Sequence, residues 1–385
     1  MNGEGPYTID RGPAAGVPVW AVGLMSGTSL DGVDVALVQT DGETLTEVGP
    51  ALMLAYDEAF RKRLHALIRG RADDTERAAV ERDLTERHWM AVGSLVRRWH
   101  DGDPRDVRVI GFHGQTLWHR PEEHQTCQIG DGALLARLSA APVINDFRSA
   151  DMAAGGEGAP LAPLYHVARV TASDIAAPLA ILNIGGVANV TWVGPGDLSL
   201  EDRVLAFDTG PGGALIDDWA LMHTGRACDV DGRLAAAGTA DEAVVAQMMA
   251  HPYFDRLPPK SLDRLSFETP LGGLGIENGA ATLTTFTVRS IARAAEFFPA
   301  PVTRWLVTGG GRHNPVLMAG LAETLGMPVD AVEEVGWNGD ALEAEAFAYL
   351  AVRALRGLPL SLPKTTGARH AVTGGRLFMP ETSGG

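Results

Sequence analysis

The chain contains few lysines, few aromatic residues and few cysteines. Lysine occurs only at Lys62, Lys260 and Lys364 among 385 residues, so arginine supplies nearly all of the positive charge. No GxxxxGK[ST] motif is present, and a lysine-centred phosphate site is therefore not expected. A phosphate would instead be held by backbone amides, hydroxyl groups and a metal ion.

Positive charge is also low overall, since the formal net charge is −16. Nucleic acid and anionic membranes would repel such a chain, which argues against both as partners. The cysteines, Cys127 and Cys228, have neither CxxC spacing nor a disulfide framework, as is usual in a reducing cytoplasm. No apolar run approaches the length of a membrane span, and the first 16 residues lack the apolar core of a signal peptide. We therefore expect a cytoplasmic protein, long enough for two domains.

What the chain does contain is a small-residue turn, at 23–34, between two apolar runs that read as strands. Its tip presents bare backbone N–H groups and two hydroxyls, without a bulky side chain in front of them. Such a tip can hold a phosphate, although an ordinary glycine-rich turn has the same composition. The predicted phosphate-binding residues are Gly27, Thr28, Ser29, Leu30, Asp31, Gly32, Val33 and Asp34.

Strand-to-glycine junctions recur later in the chain. About 160 residues later the same arrangement occurs a second time: an apolar strand, a turn at Gly185 and Gly186, and another apolar strand. The next strand delivers Asp208 before a further glycine cluster and a helix. The predicted nucleotide-binding residues of these junctions are Gly210 and Gly212, then Gly309, Gly310 and Gly311, with Asn314 beginning a helix. The pattern indicates one nucleotide cleft between two related α/β domains, as in the sugar kinase, Hsp70 and actin superfamily.

The predicted fold is therefore α/β, with two related ribonuclease H-like domains. We place the N-terminal domain at 1–147 and the C-terminal domain at 148–385, because the glycine-rich segment 146–160 suggests a crossing between them. The last ~20 residues are expected to pack back near the interdomain region.

Seven motifs, in this order, resemble those of anhydro-N-acetylmuramic acid kinases. They are MSGTSLDGVD (25–34), GFHGQT (111–116), NDFR (145–148), GGEGAPL (155–161), NIGGVAN (183–189), FDTGPG (207–212) and TGGGRHN (308–314). Two departures are Met25, where the superfamily pattern D-x-G-T has aspartate, and Glu157, where glutamine is expected and the added charge would alter substrate affinity. The resemblance covers residues 20 to 375, approximately.

The resemblance implies an enzyme that uses ATP, Mg²⁺ and water to convert 1,6-anhydro-N-acetylmuramic acid into N-acetylmuramic acid 6-phosphate during cell-wall recycling, and it implies a homodimer. Asp208 would be the base that deprotonates the attacking water, while the released O6 takes the γ-phosphoryl group. Amides of residues 27–34 and 210–213 would stabilise that group. From the residues alone, Asp208 is equally well a helix N-cap.

Polar residues suited to sugar hydroxyls and to a carboxylate are Gln115, Thr116, Arg148 and Asp151, each of which could instead be a satisfied loop residue. Glu343 is expected to face the cleft and Glu345 to face outward, with the opposite assignment left open by the sequence. We expect Asp31 either to bind the metal ion through a water molecule or to cap the turn. We interpret His113 as structural, and we do not expect His313 to bind a metal, since no partner lies at metal spacing.

Two other functions fit the same nucleotide-binding pattern. One is a kinase of another sugar or a carboxylate, which would need no hydrolytic water. The other is a nucleotide-driven binding module of the actin or Hsp70 type, which would hydrolyse ATP strongly without any sugar.

Overall fold

A computed structural model describes residues 16–27, 29–99, 103, 106–123, 125–262, 267 and 269–380. The chain divides into two compact units. The first unit comprises Met1–Ser173, Ala341–Leu362 and Ala368–Gly385, and the second comprises Asp174–Asp340 and Pro363–Gly367. Both are mixed α/β, as predicted. The bounds differ from 1–147 and 148–385, because segment 146–160 packs within the first unit and a late helix returns to it.

The described part of the first unit contains a seven-stranded sheet. Its strands are β1 (Val19–Ser26), β2 (Gly32–Thr40), β3 (Leu45–Ala55), β4 (Val107–Arg120), β5 (Gln125–Ile129), β6 (Val143–Asn145) and β12 (Arg376–Phe378). The order is β12-β6-β4-β1-β2-β3, with β5 paired to β4. Strands β1, β4 and β6 are parallel, so their carboxyl ends meet at one edge. Strands β1 to β3 form an antiparallel meander.

Six helices accompany this sheet in the described residues: α1 (Glu58–Ile68), α2 (Asp74–Arg98), α3 (Gly132–Ser139), α4 (Ser149–Ala153), α5 (Pro163–Thr171) and α11 (Leu342–Leu355). The first three begin at aspartate caps, whose carboxylates accept the backbone N–H three residues on. Apolar side chains of β1, β2 and β4 pack against α1, α2 and α3 to form one core.

Helix α11 lies directly on β1 and β4 because two glycines allow a close approach. A Cβ atom on Gly23 would lie 1.8 Å from the carbonyl oxygen of Ala344, and one on Gly111 would lie 2.1 Å from that of Phe347. Near the other end of α11, Gly42, which follows β2, lies against Arg353. The helix therefore runs antiparallel to β1, and its first turn lies where β1 ends.

The second unit has a five-stranded sheet among its described residues, ordered β11-β10-β7-β8-β9. Its strands are β7 (Leu179–Ile184), β8 (Val187–Val193), β9 (Val204–Pro211), β10 (Trp305–Thr308) and β11 (Val329–Ala331). Strand β10 is parallel to β7, and β8 is antiparallel to both β7 and β9. Strands β7, β9 and β10 therefore end at the same edge.

Helices of the second unit are α6 (Ala214–Thr224), α7 (Arg233–Ala237), α8 (Glu242–Met249), α9 (Ile276–Arg293), α10 (Pro315–Leu325) and α12 (Pro363–Thr366). The core is aromatic and aliphatic, with Phe207, Phe286 and Trp305 fully buried. Across the described residues of both units, no helix combines the length and the apolar character that a membrane span requires.

Candidate active site

The turn between β1 and β2 is supported from inside the first unit. The Ser26 hydroxyl donates to Gln115 Oε1 at 2.6 Å and lies 2.8 Å from the Tyr56 hydroxyl oxygen. Gln115 Nε2 in turn donates to the Gly27 carbonyl at 3.3 Å. Gln115 is completely buried and its amide holds this turn, so its contact with sugar stays a prediction. Thr28 lies outside the described residues.

Two glycines of this turn differ in what surrounds them. A Cβ on Gly27 would meet only the Ser29 hydroxyl, at 3.6 Å, whereas a Cβ on Gly32 would lie 2.5 Å from the Leu54 carbonyl oxygen. Gly32 is therefore required by the packing of β2 on β3, and a contact of its backbone with phosphate stays a prediction. Gly27 has open space, and a ligand can approach its backbone.

The side chains that follow Gly27 have separate tasks. Leu30 adopts a left-handed conformation, with φ of 55°, and inserts a buried side chain into the core, at a cost of about 1 kcal/mol. Val33 is likewise buried, so only its backbone can face a ligand. Ser29 donates to Asp31 Oδ1 at 2.7 Å, the contact of a turn cap. Among the described residues no group of three or more His, Cys, Asp or Glu is placed to hold a metal ion.

Arg148, which follows β6, is oriented by a neutral histidine from the middle of β4. His113 Nδ1 lies 2.9 Å from the Gly114 carbonyl oxygen, and its Nε2 accepts hydrogen bonds from the Arg148 guanidinium at 2.9 and 3.1 Å. Burial, together with the Arg148 charge, lowers the pKa of His113 well below its usual value. A neutral ring with its proton on Nδ1 satisfies both contacts. His113, interpreted as structural from the sequence, therefore also positions Arg148.

Asp151 holds a glycine-rich loop. It is buried, and its Oδ2 accepts the Gly158 N–H at 2.8 Å while its Oδ1 accepts the Ser361 hydroxyl. A Cβ on Gly156 would lie 2.2 Å from Oδ2, which explains the glycine there. Both carboxylate oxygens of Asp151 therefore serve the fold, and its contact with sugar stays a prediction.

The same loop is tied to two other side chains. Arg148 donates to the Gly158 carbonyl at 2.6 Å, and His119 Nε2 lies 2.8 Å from the Glu157 carbonyl oxygen. Glu157 and Thr116 are both half-buried, so Thr116 keeps its predicted access to a ligand. The effect of Glu157 on affinity stays a prediction.

Two carboxylates of α11 have opposite environments. Glu345 is buried and accepts the Tyr165 hydroxyl at 2.5 Å, so the expectation that it faces outward is wrong. Glu343 is exposed, yet desolvation by the surrounding protein raises the pKa of its carboxyl and the Arg148 charge opposes that rise. This combination is expected for a carboxyl that solvent reaches from one side only.

Asp208 of the second unit lies near the end of β9, and three hydrogen bonds fix it. Its N–H donates to the Lys260 carbonyl at 2.9 Å, its own carbonyl accepts the Tyr253 hydroxyl at 2.5 Å, and its Oδ2 accepts the Leu262 N–H at 2.9 Å. Helix α6 begins at Ala214 after Gly213, which makes no side-chain cap. Asp208 is therefore not the N-cap that its sequence context allows.

The sheet register places a row of polar residues beside Asp208. Thr308 pairs with Asn183, Asn183 with Asn189, and Asn189 with Asp208. Residues paired in this way point to the same face of a sheet. Sequence reasoning missed the two asparagines, although their equal separation from Gly186 was a signal that they face each other.

The glycines after Asp208 are required by packing. Gly212 N–H donates to the Gly186 carbonyl at 2.9 Å, and Gly213 N–H donates to that of Gly185 at 2.7 Å. A Cβ on Gly210 would lie 2.8 Å from the Ser290 hydroxyl, and one on Gly212 would lie 2.3 Å from the Gly185 oxygen. The N–H groups of Gly212 and Gly213 are thus already paired within the second unit, and the contact of this cluster with a phosphate stays a prediction.

Only the middle glycine of the third cluster is open. A Cβ on Gly309 or Gly311 would lie 2.3 Å from side-chain atoms of Asn183 or Ile184, whereas Gly310 has nothing within 4 Å. Asn314 caps α10, since its Oδ1 accepts the N–H groups of Val316 and Leu317 at 3.0 and 3.2 Å. Exposed Gly310 is thus the glycine of this cluster that a nucleoside can approach.

Arg312, which the sequence analysis did not single out, anchors this cluster. The buried guanidinium donates to the Gly309 carbonyl at 3.0 Å, to Glu333 Oε1 at 3.0 Å and to Asp340 Oδ1 at 2.8 Å. It therefore ties the glycine turn to the segment that precedes α11.

Comparisons with known proteins agree with the motifs. The family model described as anhydro-N-acetylmuramic acid kinase matches residues 19–380. A Rhodospirillum rubrum protein of that name is 55% identical over 368 residues, covering 94% of this chain and 95% of the relative. One from Paramagnetospirillum magneticum is 55% identical over 364 residues, covering 94% and 99%. Among solved structures, component A of (R)-2-hydroxyglutaryl-CoA dehydratase from Acidaminococcus fermentans is similar at 14% identity and a TM-score of 0.45, covering 87% and 99%.

Proposed function

Because the chain belongs to the anhydro-N-acetylmuramic acid kinase family, we propose that it uses ATP and water to open 1,6-anhydro-N-acetylmuramic acid and phosphorylate O6. The products are N-acetylmuramic acid 6-phosphate and ADP. The enzyme is thus a phosphotransferase that acts in the recycling of peptidoglycan. We further propose that it works in the cytoplasm as a homodimer.

The observation that carries the mechanism is the set of three hydrogen bonds that fixes Asp208 at the end of β9. A general base must hold one orientation while it removes a proton. The Leu262 N–H fixes one carboxylate oxygen of Asp208, and the backbone contacts with Lys260 and Tyr253 fix its main chain. In this proposal Asp208 takes a proton from water, the water oxygen bonds to C1, and the C1–O6 bond breaks. O6 then attacks the γ-phosphorus of ATP, and the bond to the ADP oxygen breaks.

We assign the phosphates of ATP to the turn that contains Gly27 and Ser29. Gly27 has open space, and the turn is held from behind by Ser26, Tyr56 and Gln115, so the turn is preorganised for an anion. The exposed Asp31 fits Mg²⁺ held through water, because Mg²⁺ keeps several waters and binds phosphate oxygens with one or two carboxylates. When bound, the ion would neutralise phosphate charge. Gly310 and Asn314 remain assigned to the nucleoside.

The sugar is assigned to Thr116, Arg148 and Glu343 of the first unit. His113 and the Gly158 carbonyl hold the Arg148 guanidinium, so little side-chain freedom is lost when it pairs with the lactyl carboxylate. The raised pKa of Glu343 suits a carboxyl that accepts or donates a hydrogen bond to a sugar hydroxyl.

An isotope experiment tests the coupled reaction. In ¹⁸O-labelled water the label should appear on C1 of the product and not in the phosphate, as read by mass spectrometry. An ordinary sugar kinase would leave both positions unlabelled, and a nucleotide-driven binding module would hydrolyse ATP without sugar. Label in the phosphate, or equal turnover of free N-acetylmuramic acid, would refute the proposal.

The base assignment is tested separately with Asp208→Asn, which keeps the shape of the side chain but cannot accept the proton. Turnover should fall by about 10²- to 10⁴-fold while ATP affinity stays unchanged. Asp202→Asn, at an exposed carboxylate paired with Lys364, is the matched control and should keep full activity. More than a third of the wild-type rate in Asp208→Asn would exclude Asp208 as the base.

A further inference from the structure

Lys260 differs from the other two lysines of the chain. Lys62 and Lys364 are exposed and form ion pairs with Glu58 and Asp202, at 2.7 and 2.9 Å. Lys260 is buried, with 3% of its surface exposed, and no carboxylate among the described residues forms an ion pair with it. A buried lysine is costly unless its charge is compensated. The burial of one of only three lysines in the chain therefore suggests a specific task.

The charge of Lys260 is compensated by aromatic rings and one carbonyl. Its Nζ lies 4.7 Å from the centre of the Tyr253 ring, 4.6 Å from that of Phe297 and 5.9 Å from that of Phe207. Nζ also donates to the Tyr253 carbonyl at 3.2 Å. Ring faces attract a cation most strongly where water is excluded. These contacts hold Lys260 and Tyr253 together.

The same two residues hold Asp208. The Lys260 carbonyl accepts the Asp208 N–H, the Tyr253 hydroxyl donates to the Asp208 carbonyl, and Leu262, two residues after Lys260, donates its N–H to the carboxylate. Every hydrogen bond described above for Asp208 thus comes from segment 253–262. The lysine side chain closes this segment on itself, because Nζ bonds back to Tyr253.

We propose that Lys260 is a positioning residue for Asp208: its ammonium group, enclosed by three aromatic rings, fixes the segment that orients the carboxylate toward water. This inference rests on the proposed function. It explains why an ammonium group occupies a site that methionine would fill equally well, since methionine cannot donate to the Tyr253 carbonyl.

The charges around Lys260 agree with this assignment. Burial, together with the charges of Arg293 and Arg256, lowers the pKa of Lys260 to about 8, against the opposing effect of Asp255. Arg293 is itself paired with Asp255 at 2.6 Å. At neutral pH the ammonium form that the rings and the carbonyl require is therefore the main one.

The first test compares Lys260→Met with Lys364→Met, which removes an exposed lysine. We expect Lys260→Met to lower kcat by at least tenfold, with KM for sugar and for ATP within twofold of wild type, because binding does not depend on the orientation of the base. Lys364→Met should keep the wild-type kcat. A fall of less than tenfold in Lys260→Met overturns the inference.

Tyr253→Phe provides a second variant that keeps the ring and the lysine but removes the hydroxyl that bonds to Asp208. If Lys260→Met does not fold, as judged by its circular dichroism spectrum, Tyr253→Phe decides the question by the same criterion: a fall of at least tenfold in kcat with unchanged KM supports the inference, and a smaller fall overturns it.

The decisive measurement combines the substitution that folds with Asp208→Asn, following transfer of ³²P from ATP to sugar. If the segment acts through Asp208, the second substitution should change the residual rate by less than twofold. A larger further loss would mean that the segment acts elsewhere and overturns the inference. Failure of the proposed function is seen independently, in unsubstituted enzyme, as the wrong position of the ¹⁸O label.

Discussion

Paired alanine substitutions at Gly27 and Gly32 separate ligand binding from packing within one turn. In Gly27→Ala the new methyl group would meet only the Ser29 hydroxyl, at 3.6 Å, and the residue is outside the left-handed region. Loss of glycine freedom in the unfolded chain then stabilises the protein by about 0.4–1 kcal/mol. In Gly32→Ala the methyl group would lie 2.5 Å from the Leu54 carbonyl oxygen and from the Met53 sulfur. Overpacking of this kind costs about 1–3 kcal/mol or more.

Affinity for ATP should not follow stability, because Gly27→Ala should weaken ATP binding although it stabilises the fold. If a phosphate lies against the Gly27 backbone, a methyl group there displaces it from at least one charge-assisted hydrogen bond, worth about 1.5–3 kcal/mol, so Kd should rise about 10- to 150-fold. Valine at the same position should abolish binding while the unit stays folded. Titration calorimetry with a non-hydrolysable ATP analogue measures Kd, and urea unfolding measures stability. Wild-type affinity in Gly27→Ala would refute the assignment of phosphate to this turn. If Gly27→Ala lost as much stability as Gly32→Ala, the space beside Gly27 would not be open as described.

Two further predictions use buried histidines. Burial lowers the pKa of His88 to about 4, so the unfolded chain takes up a proton first as pH falls from about 6.5 to about 4, and stability is lost over that range. His88→Phe should therefore reduce the loss of unfolding free energy between pH 7 and pH 5 by about 2 kcal/mol, as measured by urea unfolding. An unchanged loss would contradict this prediction. His113→Phe keeps a ring that packs 4.6 Å from Phe347 but removes the hydrogen-bond acceptor of Arg148, so KM for the sugar should rise about tenfold while KM for ATP stays the same. Steady-state kinetics, with His88→Phe as the control, measures both constants. Equal changes in the two KM values would contradict the prediction.

Local patterns in the sequence were sufficient for the strands and for the junctions at their ends. The alternation around residues 17–38 predicted β1 and β2, and the glycine clusters at 185, 210 and 309 lie where three strands end at one edge of a sheet. The motifs also predicted the family, which the comparisons confirm. Such signals are local because turn chemistry and strand periodicity depend on a few neighbouring residues.

Contacts between distant residues were beyond such reasoning. Gln115 and Asp151 lie in polar motifs whose composition suits ligand binding. Both are buried, and each is hydrogen-bonded to a serine far along the chain: Gln115 to Ser26, and Asp151 to Ser361. Glu343 and Glu345 have similar neighbours in sequence, and only the packing of α11 decides which one is exposed. The predicted domain boundary at residue 147 differs from the observed division for the same reason, because nothing in the sequence near residue 341 indicates that the chain returns to the first sheet.

The late arrival of α11 has a consequence for how the chain is made. The second unit is inserted into the first, so the sheet formed by residues 19–145 waits for residues 342–355 to cover the face that contains Gly23 and Gly111. At ordinary rates of synthesis, about 5–20 residues per second, the intervening 174–340 take roughly 10 to 30 s to emerge. During that interval an open sheet face is exposed on the ribosome, and a nascent chain stopped anywhere in the second unit cannot complete the first. Truncation before α11 would therefore cost the amino-terminal unit its fold, although every strand of its central meander has already been made.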